Sequence, residues 1–210
     1  MKYLLCILIG YLIGAINPSY IIAKIRGFDI REKGSKNAGA SNALILFGKF
    51  VGIGCALFDI AKAGFAVWLC GKLFPELVYS FAVTGIFCII GHVYPFYMKF
   101  RGGKGLACLG GMIFAFDWRV FLIMLAAEIV VVIATDYICF VPLSASLAFP
   151  IVYGIMWRDV IGALIICIII PIMIYKHKEN LKRIRRGQEL PFSFLWNKDK
   201  VLERMNLPKE

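Results

Sequence analysis

The chain has 210 residues, a formal net charge of +11 and 60% hydrophobic residues, and its mean hydropathy is +0.79. Soluble domains are closer to half apolar, so this composition excludes an ordinary soluble enzyme and predicts an all-α integral membrane protein. Because no polar stretch is long enough for a second domain, we predict one polytopic domain over residues 1–210.

Seven apolar segments follow one another along the chain and predict seven transmembrane helices. They cover residues 3–23, 50–71, 77–97, 105–117, 119–135, 139–157 and 159–175. The first could pass for a signal peptide, but it has no clear cleavage site and more spans follow, so we interpret it as a span. The fourth and fifth are short for a hydrocarbon core of about 30 Å.

The basic residues predict the orientation in the membrane. Five Lys and Arg lie in residues 24–42, three in 98–104 and ten in 176–210, against four on the other side. Cytoplasmic segments are enriched in Lys and Arg, so we place the N-terminus outside and the basic C-terminal segment 176–210 in the cytoplasm. These residues flank spans and form no separate domain, which disfavours nucleic-acid binding. Simple binding to anionic lipid headgroups is an equally good interpretation of four tail cations, Lys198, Lys200, Arg204 and Lys209.

The first polar cluster lies in the connection Gly34–Asn42. Its side chains supply hydroxyl and amide hydrogen-bonding groups, and its glycines allow tight turns. The residues concerned are Ser35, Asn37, Gly39 and Asn42. The alternative is a turn and an N-cap that start the next helix.

The second cluster, Gly91–Gly105, is the most informative stretch of the chain. Three of its glycines lie within four residues, Gly102, Gly103 and Gly105. They leave backbone N–H groups open to close approach around Lys104, which is a way to hold a phosphate. The loop is not a Walker A motif, because Met98 stands where that motif needs a glycine. The alternative is a glycine turn with snorkelling cations, in which His92 only packs between helices.

The third cluster follows the last span, from His177 to Glu189. If the helix continues beyond the span, His177, Asn180 and Ile184 share one face, with Arg183 nearby. The alternative is a basic juxtamembrane helix. The predicted topology brings all three clusters to one side, which indicates chemistry on a phosphorylated compound beside lipid.

Two charges lie inside the second segment, Asp59 and Lys62, at a spacing of three residues. An unpaired charge at the centre of a membrane helix costs at least about 2.5 kcal/mol, so we expect these two to pair. They form either a structural pair or part of a polar cavity.

At these clusters the chain resembles the bacterial acyl-phosphate:glycerol-3-phosphate acyltransferase family (PlsY) over nearly its whole length. The family motifs look like GSxNxGxTN, GHxxPxxxxFxGGKG and HxxNIxRLxxGxE. The second, which is highly specific, matches at every fixed position from Gly91 to Gly105. The other two are matched by Gly34, Ser35, Asn37, Gly39 and Asn42, and by His177, Asn180, Arg183, Gly187 and Glu189.

The resemblance implies transfer of a fatty acyl group from an acyl phosphate to the 1-hydroxyl of sn-glycerol 3-phosphate. The products are lysophosphatidate and inorganic phosphate, the first step of phospholipid synthesis. It also implies a bacterial cytoplasmic (inner) membrane protein whose active site faces the cytoplasm. Acyl phosphate is already activated, so the reaction needs no metal, nucleotide or other cofactor, and we infer no obligate protein partner.

The resemblance also implies roles for individual residues. It implies catalytic roles for Ser35, Lys104, His177 and Asn180. It implies substrate or phosphate binding by Asn37, Gly39, Asn42, His92, Gly102, Gly103, Gly105, Arg183 and Glu189. Lys104 and the Gly102 and Gly103 amides would bind a phosphate. The general base is either His177 or a substrate phosphate oxygen, and a covalent acyl-Ser35 is disfavoured because no Ser-His-Asp order is present.

Two other functions are compatible with parts of the sequence. Acyltransferases that use thioester donors typically carry a His-x4-Asp motif, but the residues five after the two histidines are Tyr97 and Lys182. A non-catalytic transporter of an organic anion or phosphate ester would explain the spans, glycines and cations. It would not require all three clusters on one face.

The chain departs from the family pattern in the first cluster. Lys36 stands at a usual glycine, and Ile45 stands where the family has an arginine thought to help hold phosphate. We expect Lys36 or Lys49 to supply the missing charge, so Lys36→Ala or Lys49→Ala should raise the substrate KM in steady-state assays. An unchanged KM in both variants would contradict this expectation.

Overall fold

The computed structural model describes residues 1–195 and 197, so the tail cations Lys198, Lys200, Arg204 and Lys209 lie outside the described residues. The described part is all-helical, without strands. Its α-helices are α1 (Lys2–Ala15), α2 (Pro18–Ile25), α3 (Ala40–Phe47), α4 (Lys49–Leu73), α5 (Ser80–Val93), α6 (Leu106–Phe116), α7 (Trp118–Thr135), α8 (Phe140–Trp157), α9 (Val160–Ile166) and α10 (Ile169–Arg185). Short 3-10 turns cover Ile30–Glu32, Phe96–Met98 and Phe192–Leu195.

The predicted first span, 3–23, is two helices rather than one. α1 ends at Ala15, and α2 starts at Pro18 after a bend of 42°. Proline lacks an N–H and disfavours helical backbone in the residue before it, so a continuous helix cannot form here. Asn17 instead caps α2, because its Oδ1 accepts the Tyr20 N–H at 2.9 Å.

The long helices account for most of the predicted spans. Five helical segments are long and apolar enough to cross a membrane, or six with the bent α1–α2 pair. The predicted span 105–117 corresponds to α6, whose 11 residues rise only about 16 Å. α10 continues past the predicted end of its span, at residue 175, to Arg185, which confirms a helical third cluster. The full count of seven stays a prediction.

Small residues let the helices pack closely around the bundle axis. A Cβ at Gly14 of α1 would collide with the backbone of Cys88 in α5, and one at Gly91 would collide with the backbone of Tyr11. Without a hydrophobic driving force between helices in lipid, such close backbone approach is a main source of association. The α1–α5 contact therefore fixes how the second cluster is presented at the end of α5.

The bundle has two distinct ends. At one end Lys2 Nζ lies 2.5 Å from Glu76 Oε1. The other end, which we call the cluster end, carries the three polar clusters and the turn after α7, where Asp136 accepts both the backbone N–H and the hydroxyl of Ser193 at 2.7 Å. The N-terminus therefore lies opposite the clusters, as the charge distribution predicts. Which end faces the cytoplasm stays a prediction.

Candidate functional site

A buried cation lies beneath the cluster end. Lys62 is 5% exposed, and its Nζ lies 2.7 Å from Asp59 Oδ1 and 3.1 Å from His92 Nδ1. Its Nζ also donates to the carbonyl oxygen of Ile16 at 2.5 Å. That carbonyl group lies at the break between α1 and α2, where the backbone hydrogen bonds of the helix are interrupted. The expected Asp59–Lys62 pair is thus present, and it also joins α1, α4 and α5.

Potential metal ligands occur in the same place. Ligand atoms of Asp59, His92 and Cys108 all lie within 4.8 Å of one another. Lys62 does not leave these groups free for a cation, because its ammonium already bonds to Asp59 and His92. A metal ion here would meet a positive charge at hydrogen-bond distance from two of its ligands, so the group does not fit a metal site.

His92 supports the glycine loop rather than facing a ligand. The imidazole is 3% exposed, and a Cβ on Gly103 would collide with its Nε2. The Gly103 N–H donates to the His92 carbonyl oxygen at 3.1 Å, and the Gly102 N–H donates to that of Val93 at 3.0 Å. Both amides thus have acceptors within the loop and α5. Phosphate binding by Gly102 and Gly103 and substrate binding by His92 stay predictions.

Gly105 shapes the transition from the loop into α6. It has a φ of +92°, a left-handed conformation that favours glycine. A Cβ there would also press on the side chains of Ile89, Val93 and Met173. The glycine therefore allows α6 to start at Leu106, two residues after Lys104, and beside α10.

Lys104 joins the second cluster to the third. Its Nζ donates to Asn180 Oδ1 at 2.6 Å, and Asn180 Nδ2 donates to Glu189 Oε1 at 2.6 Å. The other Glu189 oxygen accepts from Arg183 Nε at 2.5 Å. Burial lowers the pKa of the Lys104 ammonium, and the Glu189 carboxylate opposes that shift. Four residues predicted from two separate motifs thus form one hydrogen-bonded chain.

His177 lies one turn before Asn180 on α10 and is 4% exposed. Its Nδ1 is 2.9 Å from the carbonyl oxygen of Met173. A carbonyl oxygen can only accept, so Nδ1 carries the hydrogen in this bond. In the neutral ring Nε2 is then free to accept a proton.

Asn42 holds the first cluster together internally. Its Oδ1 accepts the Ser35 N–H at 2.8 Å, and its Nδ2 donates to the carbonyl oxygens of Ile30 at 2.9 Å and Lys33 at 3.0 Å. The side chain is fully buried. Its hydrogen-bonding groups serve the backbone of its own loop, and its predicted role in substrate binding stays a prediction.

The remaining residues of the first cluster are more open. Ser35 is exposed and Asn37 is half-buried. Gly39 precedes α3, and a Cβ there would collide with Asn37 Nδ2. Within the described residues, no hydrogen bond joins Ser35 to Lys104 or His177.

Two residues that sequence reasoning missed connect the first cluster to its surroundings. Arg31 donates to the carbonyl oxygens of Met98 and Arg101, and its guanidinium lowers the pKa of the Asp29 carboxyl to about 2. Asn17, which is fully buried, donates to the Ala38 carbonyl oxygen at 2.8 Å. The sequence feature that could have identified Asn17 is an asparagine before a proline inside an apolar segment. No feature of the neighbouring sequence identifies Arg31 as a residue with this role.

The positions that depart from the family pattern lie on the surface. Lys36 has a φ of +57°, so a lysine holds the left-handed conformation at the position where the family usually has glycine. Lys36 and Lys49 are both exposed, and Ile45 is 61% exposed. Replacement of the missing arginine charge by either lysine stays a prediction.

Fold and site together define a polytopic helical membrane protein with a cationic, hydrogen-bonded site at one end of its bundle. A family model described as glycerol-3-phosphate acyltransferase matches residues 4–187. Glycerol-3-phosphate acyltransferase 1 of Oceanobacillus iheyensis is 40% identical, over 94% of this chain and 99% of that protein.

Two crystal structures of PlsY, an integral membrane glycerol 3-phosphate acyltransferase, have the same fold. The glycerol 3-phosphate form has a TM-score of 0.82 and covers 93% of this chain and 98% of its own. The lysophosphatidic acid form has a TM-score of 0.81 and covers 97% and 100%, and both are 28% identical to this chain. The chain belongs to the glycerol-3-phosphate acyltransferase family, and it is a membrane acyltransferase.

The buried ion cluster makes a prediction about stability. Lys62→Met leaves the buried Asp59 with only the His92 ring, 3.4 Å from its Oδ1, as an ionisable partner among the described residues. It should therefore destabilise the protein by about 3–5 kcal/mol. The double variant Asp59→Asn/Lys62→Met removes both charges and should recover much of this loss. Unfolding midpoints in detergent measure the difference, and a double variant no more stable than the single one would contradict this interpretation.

Proposed function

We propose that this chain transfers a fatty acyl group from an acyl phosphate to the 1-hydroxyl of sn-glycerol 3-phosphate, releasing lysophosphatidate and inorganic phosphate. Membership of the acyltransferase family supports the acceptor, and the likeness to PlsY supports the donor. The reaction would be the first step of phospholipid synthesis. We place it at the cytoplasmic face of a bacterial inner membrane.

The observation that carries the proposal is the hydrogen-bonded chain from Lys104 through Asn180 and Glu189 to Arg183. Both substrates carry phosphate, so the enzyme needs cations fixed in place at the end of a hydrophobic bundle. Lys104 and Arg183 supply two such cations. Glu189 holds Arg183 and Asn180 in one geometry, which reduces the conformational freedom that binding would otherwise remove.

The phosphate of the donor would meet Lys104 and the start of α6. The N–H groups in the first turn of a helix have no acceptor within the helix, and the helix dipole favours an anion there. In α6 this turn starts at Leu106, two residues after Lys104. These amides would act beside those of Gly102 and Gly103, which donate to carbonyl oxygens in this structure.

The chemical step needs one new bond and one broken bond. The 1-hydroxyl oxygen of glycerol 3-phosphate attacks the acyl carbonyl carbon, and the resulting oxyanion is stabilised by nearby donors. The bond from that carbon to the phosphate oxygen then breaks, and phosphate leaves with the electron pair. The hydroxyl proton goes either to His177 Nε2, which the Nδ1 bond to Met173 leaves able to accept, or to a phosphate oxygen.

Ser35 and Asn180 would orient the substrates in this scheme. Asn180 is already held between Lys104 and Glu189, so its amide has a defined direction. The backbone of Ser35 is fixed by Asn42 while its side chain is exposed, which leaves its hydroxyl available to a substrate in the headgroup region.

The direct test is phosphate release and lipid product formation by detergent-purified protein given palmitoyl phosphate and glycerol 3-phosphate. We expect release that needs both substrates and yields lysophosphatidate. Lys104→Ala should lower kcat/KM by about 10²–10³-fold, since it removes a charge placed for the leaving group. Lys178→Ala, an exposed lysine next to His177, is the matched control and should change it little.

Two outcomes would contradict the proposed function or the role of Lys104 in it. A folded wild-type protein that forms no lysophosphatidate from this pair would show that the donor or the acceptor is wrong. Equal losses in Lys104→Ala and Lys178→Ala would show that Lys104 acts only as part of a general basic surface.

A further inference from the structure

The chain doubles back after α10. Gly187 has a φ of +66°, a left-handed conformation that favours glycine. Its N–H donates to the Ile184 carbonyl oxygen at 3.0 Å, and the Gln188 N–H donates to that of Arg183 at 2.8 Å. These two bonds form a Schellman motif, which ends the helix and reverses the chain. The residues that start here, which we call the return segment (187–193), therefore fold back against α10.

The middle of the return segment reaches the candidate site. Glu189 Oε1 accepts from Asn180 Nδ2 at 2.6 Å, and its Oε2 accepts from Arg183 Nε at 2.5 Å. Asn180 Oδ1 in turn accepts from Lys104 at 2.6 Å. A free amide can turn over and exchange the places of its oxygen and its nitrogen. An ionised carboxylate only accepts, so Glu189 keeps the Asn180 nitrogen on its own side and the oxygen on the side of Lys104.

The far end of the return segment is fastened to the turn between α7 and α8. Asp136, the C-cap of α7, accepts the Ser193 N–H on Oδ1 and the Ser193 hydroxyl on Oδ2, both at 2.7 Å. Its carbonyl oxygen also accepts the Phe192 N–H at 2.6 Å. Pro191, which lies between this contact and Glu189, is buried. The return segment is therefore held at both ends, by its glycine turn and by Asp136.

The turn itself does not need a carboxylate at this position. Asp136 has a φ of +61°, a conformation that glycine adopts with least strain and that aspartate tolerates. Among the described residues, its two carboxylate oxygens accept hydrogen bonds from Ser193 alone. The side chain of Asp136 therefore holds the return segment, whereas the backbone conformation at the end of α7 would be satisfied by a glycine.

We propose that Asp136 is a positioning residue for the acyl transfer, and this rests on the proposed function. By holding Ser193 it keeps Glu189, four residues earlier, in contact with α10. A segment that is fixed at both ends has fewer conformations to lose when the substrates bind. Released at one end, it would leave Glu189 mobile. The Asn180 amide and the Arg183 guanidinium would then lose the fixed directions that two phosphorylated substrates need.

The test compares Asp136→Gly with Asp136→Asn and with Asp117→Gly. Asp136→Gly removes the carboxylate and suits the left-handed backbone. Asp136→Asn keeps an acceptor for the Ser193 N–H and gains an N–H donor for the serine hydroxyl oxygen. Asp117 caps the opposite end of the same helix, where glycine costs little. Each purified variant is assayed in lipid nanodiscs with palmitoyl phosphate and glycerol 3-phosphate, and its unfolding midpoint is measured.

The expected pattern separates positioning from a structural role. Asp136→Gly should lower kcat/KM for lysophosphatidate formation about ten-fold, with an unfolding midpoint close to that of the wild type. Asp136→Asn should stay within about three-fold of the wild type, and Asp117→Gly within about two-fold. In a Glu189→Ala background, adding Asp136→Gly should lower kcat/KM less than about two-fold further, because the residue that Asp136 positions is already gone.

Each other outcome overturns the inference. Wild-type kcat/KM in Asp136→Gly, or a loss that multiplies with that of Glu189→Ala, would show that Asp136 does not act through Glu189. An equal loss in Asp136→Asn would contradict a role through the Ser193 hydrogen bonds. If Asp136→Gly does not fold, Ser193→Ala decides: it should lower kcat/KM about three-fold, but not in the Glu189→Ala background. An active wild type confines any of these failures to the inference, whereas a wild type that forms no lysophosphatidate overturns the proposed function as well.

Discussion

The structure depends on a single buried ammonium group, that of Lys62. A cation inside a hydrophobic bundle is costly unless it is paired and hydrogen-bonded. The partners of Lys62 come from α4, from the end of α5 and from the break after α1. The break before Pro18 leaves the Ile16 carbonyl oxygen outside the helical hydrogen-bond pattern. The buried Lys62 ammonium donates to this oxygen. The His92 carbonyl oxygen accepts the Gly103 N–H. The position of His92 beside Lys62 therefore also fixes the position of the glycine loop before Lys104.

The site is assembled from this loop outwards. Towards α10, Lys104 bonds to Asn180 and through it to Glu189 and Arg183. Towards the first cluster, the loop backbone accepts hydrogen bonds from Arg31. The glycine loop therefore lies between two polar segments that are far apart in sequence, and it positions charges at the end of an apolar bundle. The arrangement puts cations at the end of an apolar bundle, which suits the proposed acyl transfer between a lipid-like donor and a water-soluble acceptor.

The sequence predicted the helical membrane fold, the pairing of Asp59 with Lys62, and the alignment of His177 with Asn180, because each depends on hydropathy or on spacing within one helix. It did not predict what the Gly102 and Gly103 amides bind, since backbone acceptors are set by how the loop folds back on α5. It did not predict the partners of Asn42 for the same reason: they are backbone groups of its own loop. The link through Arg31 spans 67 residues in sequence, so no local pattern could reveal it.

A double-mutant cycle on Lys104 and Asn180 would test whether the second and third clusters form one catalytic unit. The rate of lysophosphatidate formation is measured for the wild type, Lys104→Ala, Asn180→Ala and the double variant. Residues that act together lose most of their effect when either is removed, so the double variant should be about as slow as the slower single one. Losses that multiply in the double variant would show that the two residues act independently and that their contact is not part of the catalytic site.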